Sequence, residues 1–428
     1  MRQPNNSSST RLWRVFAAIT FLNQIVRVPL LLLLATKVEN LQAYFIIAST
    51  SIPVQFIAQD ILQYRSRSHR LTLFESFGLP LFACGSIAYV TWHYGLEFGA
   101  IYLIFALALM FHGDSVGRLR DASPPELVLA SDAIYHTCTT MLAASAALLL
   151  GGEDMLGHIV ILAQTGTAAA VGLLNVVFTR RRRHLVPIAT GTLAPSSVAA
   201  NTATPMVLAG IMATTQLERL VIAASQPAIL ACISLAAGIT QAWRKIGMDD
   251  ALVFERLRQC SDNGLHHAIF AELKHARRMF YPPLVFCLVS YIFISDIAAW
   301  CLSHGIFRSL NHTGYVNTTA ILCIYLAAMP PAIVMVNTLR LRIIPIRRLG
   351  WTAILTVALL EIGALVFPYL LGQFTNLAMM MITLSASLYH MLFLALSPMS
   401  LKESARLVYL DIVVFTLILF AIIWIPVP

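Results

Sequence analysis

The sequence predicts an all-α polytopic membrane protein of 12–13 transmembrane helices in two six-helix lobes, and three observations predict it. The chain of 428 residues is 58% hydrophobic and only 11% charged, with a mean hydropathy of +0.76, whereas soluble domains carry roughly 25% charged residues. Apolar runs near the roughly 20 residues needed to cross the hydrocarbon core recur along the whole chain. The cations alternate: of 29 Lys and Arg, 25 fall in every second connecting segment, Lys37 and Arg308 fall in the others, and Arg27 and Arg219 lie inside spans. That alternation is the positive-inside signature, with the N-terminus in the cytoplasm. A formal charge of +9 would suit nucleic acid, but here it is spread along the chain as an orientation signal, so no nucleic-acid partner is expected.

The expected spans follow in order. "MRQPNNSSSTRLWR" leads straight into Val15–Ala35, so the first helix is expected to be its own targeting signal. Leu41–Leu62, Leu71–His93, a short Phe98–His112, Leu127–Gly151 and Leu156–Phe178 complete a first lobe over residues 1–183. Residues 184–203 open after four arginines and turn to small polar residues and prolines, which reads as a cytoplasmic linker. A second lobe over 204–400 holds Thr204–Ala224, Ala228–Trp243, Tyr281–Leu302, Thr318–Thr338, Trp351–Leu371 and Leu377–Leu396. An extra helix, Leu407–Ile425, closes the chain within 401–428. Inside the second lobe, 247–280 is a long inner segment. Its Leu265, Ile269, Leu273, Ala276 and Phe280 recur at helical spacing opposite basic residues, which predicts an amphipathic helix lying at the headgroups. Pro330-Pro331 is expected to break its span mid-membrane. Six plus six, with both halves entering from the same side, fits a parallel repeat.

Polar groups at membrane depth point to function, because a charge there costs at least about 2.5–3.5 kcal/mol on insertion scales. Arg27 has Asn23 four residues before it and Gln24 three before it, so the three form one polar stripe near the middle of the first span. Pro29 follows and can kink the helix there. A guanidinium stays charged and grips phosphate in a bidentate way, so Arg27 reads as an anion anchor or as one half of an internal ion pair. Glu218 and Arg219 are neighbours in the seventh span and diverge by about 100°, so they do not face each other. One is expected at a cavity and the other at a neighbouring helix or snorkelling to headgroups. Asp132 and His136 share a helix face, a spacing that suits proton handling or a structural hydrogen bond. Asp296 and Glu361 read as the deepest carboxylates of the second half, either able to take a coupling proton or sodium ion.

Enzyme chemistry is not expected. No Walker A, HExxH or CxxC run is present. The seven cysteines are scattered without metal or redox spacing and read as small apolar fillers. No cofactor is implied.

"QLERLVIAASQPAILACISLAAGITQ", Gln216 to Gln241, resembles the seventh and eighth helices of polysaccharide flippases in the MATE/polysaccharide-transporter/MurJ (MOP) superfamily. "VRVPLLLLLATKVENLQAYFIIASTSI" resembles their first two. The chain differs from them in lacking a glycine after the first helix, in carrying Glu218 where they carry aspartate, and in its thirteenth span. The resemblance implies a two-lobed flippase that carries a polyprenyl-pyrophosphate-linked saccharide across the bacterial inner membrane by alternating access. Its partners would be membrane lipids, that saccharide and a polysaccharide synthesis complex. Arg27 would attract the pyrophosphate, the first helices of the two lobes would face each other across a cavity, and Glu218, Asp296 or Glu361 would serve ion coupling. A cation antiporter of the same plan, a membrane-embedded saccharide polymerase or ligase, and a scaffold subunit are the alternatives.

Overall fold

The computed structural model describes residues 7–49, 51, 87–122, 125–183, 219, 222, 227–248, 253, 256, 257, 264–340, 382, 386, 389, 390, 393, 394 and 401–424. Among them there are helices and turns and no strand. The main helices are α1 (Ser7–Leu34), α2 (Leu96–Ala122), α3 (Pro125–Leu150), α4 (Leu156–Arg183), α5 (Pro227–Gly247), α6 (Leu265–Ile292), α7 (Ile294–Ser303), α8 (His312–Arg340) and α9 (Leu401–Trp424). Six of these, α1, α2, α3, α4, α8 and α9, are long and apolar enough to cross a membrane, and α6 with α7 makes a seventh if the bent pair is one span. The all-α polytopic reading therefore holds. The expected spans Leu41–Leu62, Leu71–His93, Thr204–Ala224, Trp351–Leu371 and Leu377–Leu396 lie wholly or largely outside the described residues.

The chain divides into two compact units, residues 1–35 with 40–205, and residues 36–39 with 206–428. In the first unit α1 packs on α3, α2 on α4, and α3 on α4. Close approach depends on small residues. A Cβ at Gly151, just past α3, would sit 2.5 Å from the Leu34 carbonyl oxygen at the end of α1. Asn40 donates to the Gly151 carbonyl at 3.1 Å and fixes that same end. In the second unit α8 is the central helix. It packs on α5, α6, α7 and α9, and 72% of its apolar window is buried, against 22% for α9.

With no water available, buried hydroxyls and amides must find partners inside the protein. Many donate to the carbonyl one turn back on their own helix. Thr165 does so to Ile161, Thr179 to Asn175, Thr240 to Ala236, Thr338 to Val334 and Asn337 to Ile333, all at 2.7–2.9 Å.

Several expectations are corrected. The short fourth span is the 27-residue α2, which carries Arg118 and Arg120 within the helix. The segment before the ninth span is not a separate interfacial helix: α6 runs unbroken from Leu265 to Ile292. Its apolar face, Leu265, Ile269, Leu273, Ala276 and Phe280, is 0–3% exposed and packs inside the protein, not into headgroups. The ninth span instead bends by 77° at Phe293, and α7 leaves in a new direction. Pro330-Pro331 does not break α8, which continues to Arg340; two missing N–H donors are tolerated because buried neighbours hold the helix on both sides. Pro29 likewise sits inside an unbroken α1.

Candidate functional site

The polar stripe of α1 meets a second polar face on α3. Asn23 Nδ2 donates to the Ile19 carbonyl and to Thr137 Oγ1, each at 2.9 Å. Gln24 Nε2 lies 3.1 Å from His136 Nε2; an amide nitrogen only donates, so this imidazole nitrogen accepts. Thr140 Oγ1 donates to the Asn23 carbonyl at 3.3 Å. Arg27 Nη1 donates to Thr139 Oγ1 at 3.4 Å. Thr139 spends its own proton on the carbonyls of Tyr135 and His136, at 2.9 and 3.0 Å, so its lone pairs are what Arg27 meets.

Arg27 is half-buried, and its Nε is buried without a hydrogen-bond partner. No carboxylate pairs with it among the described residues. A guanidinium carries five donors, and here one long bond to a neutral hydroxyl engages it. The positive charge is therefore undercompensated at membrane depth.

Behind this seam stands an aromatic ladder. The Tyr135 ring stacks on His112 of α2, with centroids 4.5 Å apart and planes 29° apart, and meets His136 edge-on at 5.2 Å. Arg27 and Asp132 both lie close enough for their charges to act on Tyr135, and Asp132 also acts on His112. His112 is 3% exposed, and neither ring nitrogen has a hydrogen-bond partner. The structure thus brings together Asn23, Gln24, Arg27, Asp132 and His136, which the sequence placed in two separate groups. It adds Tyr135, Thr137, Thr139 and His112, for which the sequence offered only their polarity within apolar runs.

Two of the second-half candidates, Asp296 and Arg219, lie among the described residues. Asp296 is exposed, in the first turn of α7 just beyond the bend. Arg219 is buried at 8% exposure, with Nε lacking a hydrogen-bond partner, so it does not snorkel to the headgroups. Glu218 and Glu361 lie outside the described residues.

A buried carboxylate on α9 was missed. Asp411 on α9 is fully buried and accepts from Arg277 Nε at 3.1 Å, Arg277 Nη2 at 2.6 Å and Tyr281 Oη at 2.5 Å. Arg277 Nη2 also donates to the Leu407 carbonyl. His390, 5% exposed and packed on Phe415, lies near enough to feel the Asp411 charge. The signal was a lone acid in "VYLDIVVF". Among the described residues, no cluster of His, Cys, Asp and Glu could hold a metal ion. No family model, curated protein or solved structure matches the chain.

Proposed function

We propose that this chain is a flippase-type transporter that moves a polyprenyl-pyrophosphate-linked saccharide across a bacterial inner membrane by alternating access, for surface polysaccharide biosynthesis. The single observation that carries the reading is Arg27. A guanidinium inside a span costs several kcal/mol unless a negative partner offsets it, and Arg27 has no carboxylate partner among the described residues, one long bond to Thr139, and an unengaged Nε. A pyrophosphate supplies the missing charge and matches the planar fork. Asn23 and Gln24 flank it with amide groups, which suit hydroxyl-rich cargo. The polytopic helical architecture and the resemblance of the first, second, seventh and eighth spans to polysaccharide flippases support the same reading.

Coupling is assigned to the adjoining Asp132, His136 and Tyr135, since proton movement among them would change the charge seen by Arg27. The test is complementation of a strain lacking the gene. Arg27→Ala is expected to abolish surface polysaccharide while the protein remains in the membrane at normal amount. Arg27→Lys, which keeps the charge and loses the fork, is expected to restore only part of it. Full function of Arg27→Ala would remove the anion-anchor role.

A further inference from the structure

Three helices of the second unit come to an end at one level. Tyr291 Oη, just before the bend at Phe293, donates to the carbonyl of Ile422 in the last turn of α9. Tyr291 and Ile294 pack with Ala320 in the first turns of α8, against Tyr315, Val316 and Ile422. Each helix reaches that level without an exposed charge. α6 has no Asp, Glu, Lys or Arg between Tyr281 and the bend, and α8 has none between His312 and Arg340. Past Arg406, α9 has only Asp411, which is fully buried. The next charges along the chain after the bend are Asp296 and Arg308, both exposed. The bend therefore sits at an edge of the apolar layer, on the side away from the basic ends of α6, α8 and α9.

At that edge α7 turns 77° away from α6 and shows three faces. Ile294 and Ala298, at 3% and 0% exposure, point into the protein, where α7 packs on α8. Phe293, Ile297 and Trp300 recur at steps of four and three, so they line a second face, and they are 56%, 37% and 57% exposed. Asp296 and Ser303, two turns apart, line a third face and are also exposed. The apolar face has no break behind it. On α6, Val285 and Val289 are exposed and precede Phe293 at steps of four, so one strip runs up the side of the span, over the bend and along α7 to Trp300.

We propose that α7 is a membrane-surface helix: Phe293, Ile297 and Trp300 are set into the boundary between headgroups and acyl chains, and Asp296 and Ser303 face water. The partner of the apolar face is the bilayer itself. A helix with an apolar face and a polar face lies in the plane of that boundary, and Trp is favoured there because its ring is apolar and its N–H is polar. The unbroken strip commits the face to lipid, since Val285 and Val289 on the wall of the span already meet acyl chains. His304 closes the helix by packing its ring on Trp300, with centroids 4.5 Å apart. The amphipathic surface helix expected at 265–280 thus stands at the opposite end of α6. It does not depend on what the Arg27 seam carries.

Quenching in proteoliposomes tests this. A fluorescent amino acid is introduced by stop-codon suppression in place of Asp296, Ile297, Trp300 or Ser303, one at a time, in the full chain. Phospholipids brominated on the upper acyl chain are expected to remove most of the emission at Ile297 and Trp300 and little at Asp296 and Ser303. Iodide in the buffer is expected to do the reverse. The unmodified protein gives a second reading: a diazirine carried on the upper acyl chain is expected to label the peptide from Phe293 to Trp300 and to spare the peptide from Ser303 to Asn311. Iodide quenching at Ile297 and Trp300 would put the face in water. Quenching by brominated lipid at all four positions would make α7 a continuation of the span inside the layer. Protection of Ile297 and Trp300 from both quenchers would cover the face with protein, such as a second copy of the chain. Each of these outcomes, or an unlabelled Phe293–Trp300 peptide in the unmodified protein, would overturn the surface helix.

Discussion

Removing the Asp411 carboxylate is expected to destabilise the second unit more than any surface change. Asp411 is fully buried and receives three hydrogen bonds, two from Arg277 and one from Tyr281. Arg277 is itself only 16% exposed. Asp411→Ala leaves that guanidinium buried with the Leu407 carbonyl as its remaining acceptor. Breaking a buried pair from one side costs about 3–5 kcal/mol. At about 2–4 °C per kcal/mol for a unit of this size, the melting temperature should fall by about 6–20 °C, read by a thiol-reactive or intrinsic-fluorescence melt in detergent. Tyr281→Phe removes one bond to a charged acceptor and should cost about 1.5–3 kcal/mol. The diagnostic variant is the double one. Arg277→Met with Asp411→Leu replaces both charges by apolar groups, which is close to neutral for buried pairs, so it should recover most of the loss. A fall for Asp411→Ala no larger than the 0.2–1 kcal/mol typical of exposed pairs, or a double variant as unstable as the single, would refute the reasoning.

Three further outcomes follow from other contacts. Gly151→Ala forces a Cβ to 2.5 Å from the Leu34 carbonyl oxygen; strain of this kind costs about 1–3 kcal/mol, and the melting temperature should drop by several degrees without loss of expression. Arg256 grips Glu272 through both carboxylate oxygens, at 2.5 and 2.7 Å. Glu272 is buried, so Arg256→Ala should cost about 1–3 kcal/mol in the same melt, while Arg118→Ala, whose partner Asp114 is one turn away on an exposed face, should cost about 0.3–0.5 kcal/mol. A reporter fused after Pro428 should be active outside the cytoplasm if thirteen spans cross; cytoplasmic activity would mean an even number.

The helical class and the α1 stripe were legible because both rest on local facts. Apolar length declares a span, and spacings of three and four put Asn23, Gln24 and Arg27 on one face whatever else the fold does. What α1 faces was not legible. Gln24 and His136 are 112 positions apart, and nothing in either run names the other. Asp411 was missed for the same reason: its partner Arg277 lies 134 positions away and had been counted among the loop cations that set orientation. The bend at Phe293 was not legible because no proline or glycine marks it. The 265–280 face misled differently. Apolar residues at helical spacing look the same whether lipid or protein covers them, and here protein does. Pro330-Pro331 declares two missing donors but not whether surrounding helices keep the helix continuous.

The central claim is that this chain carries a lipid-linked saccharide, and the most direct measurement is a mass-spectrometric profile of polyprenyl-linked glycolipids in a strain lacking the gene, re-supplied with the wild type or with Arg27→Ala. The account predicts that one polyprenyl-linked oligosaccharide accumulates in the deletion strain with loss of a surface polysaccharide, that the wild type clears it, and that Arg27→Ala does not. An unchanged glycolipid pool in the deletion strain would contradict it and point to a cation antiporter on the same helical plan.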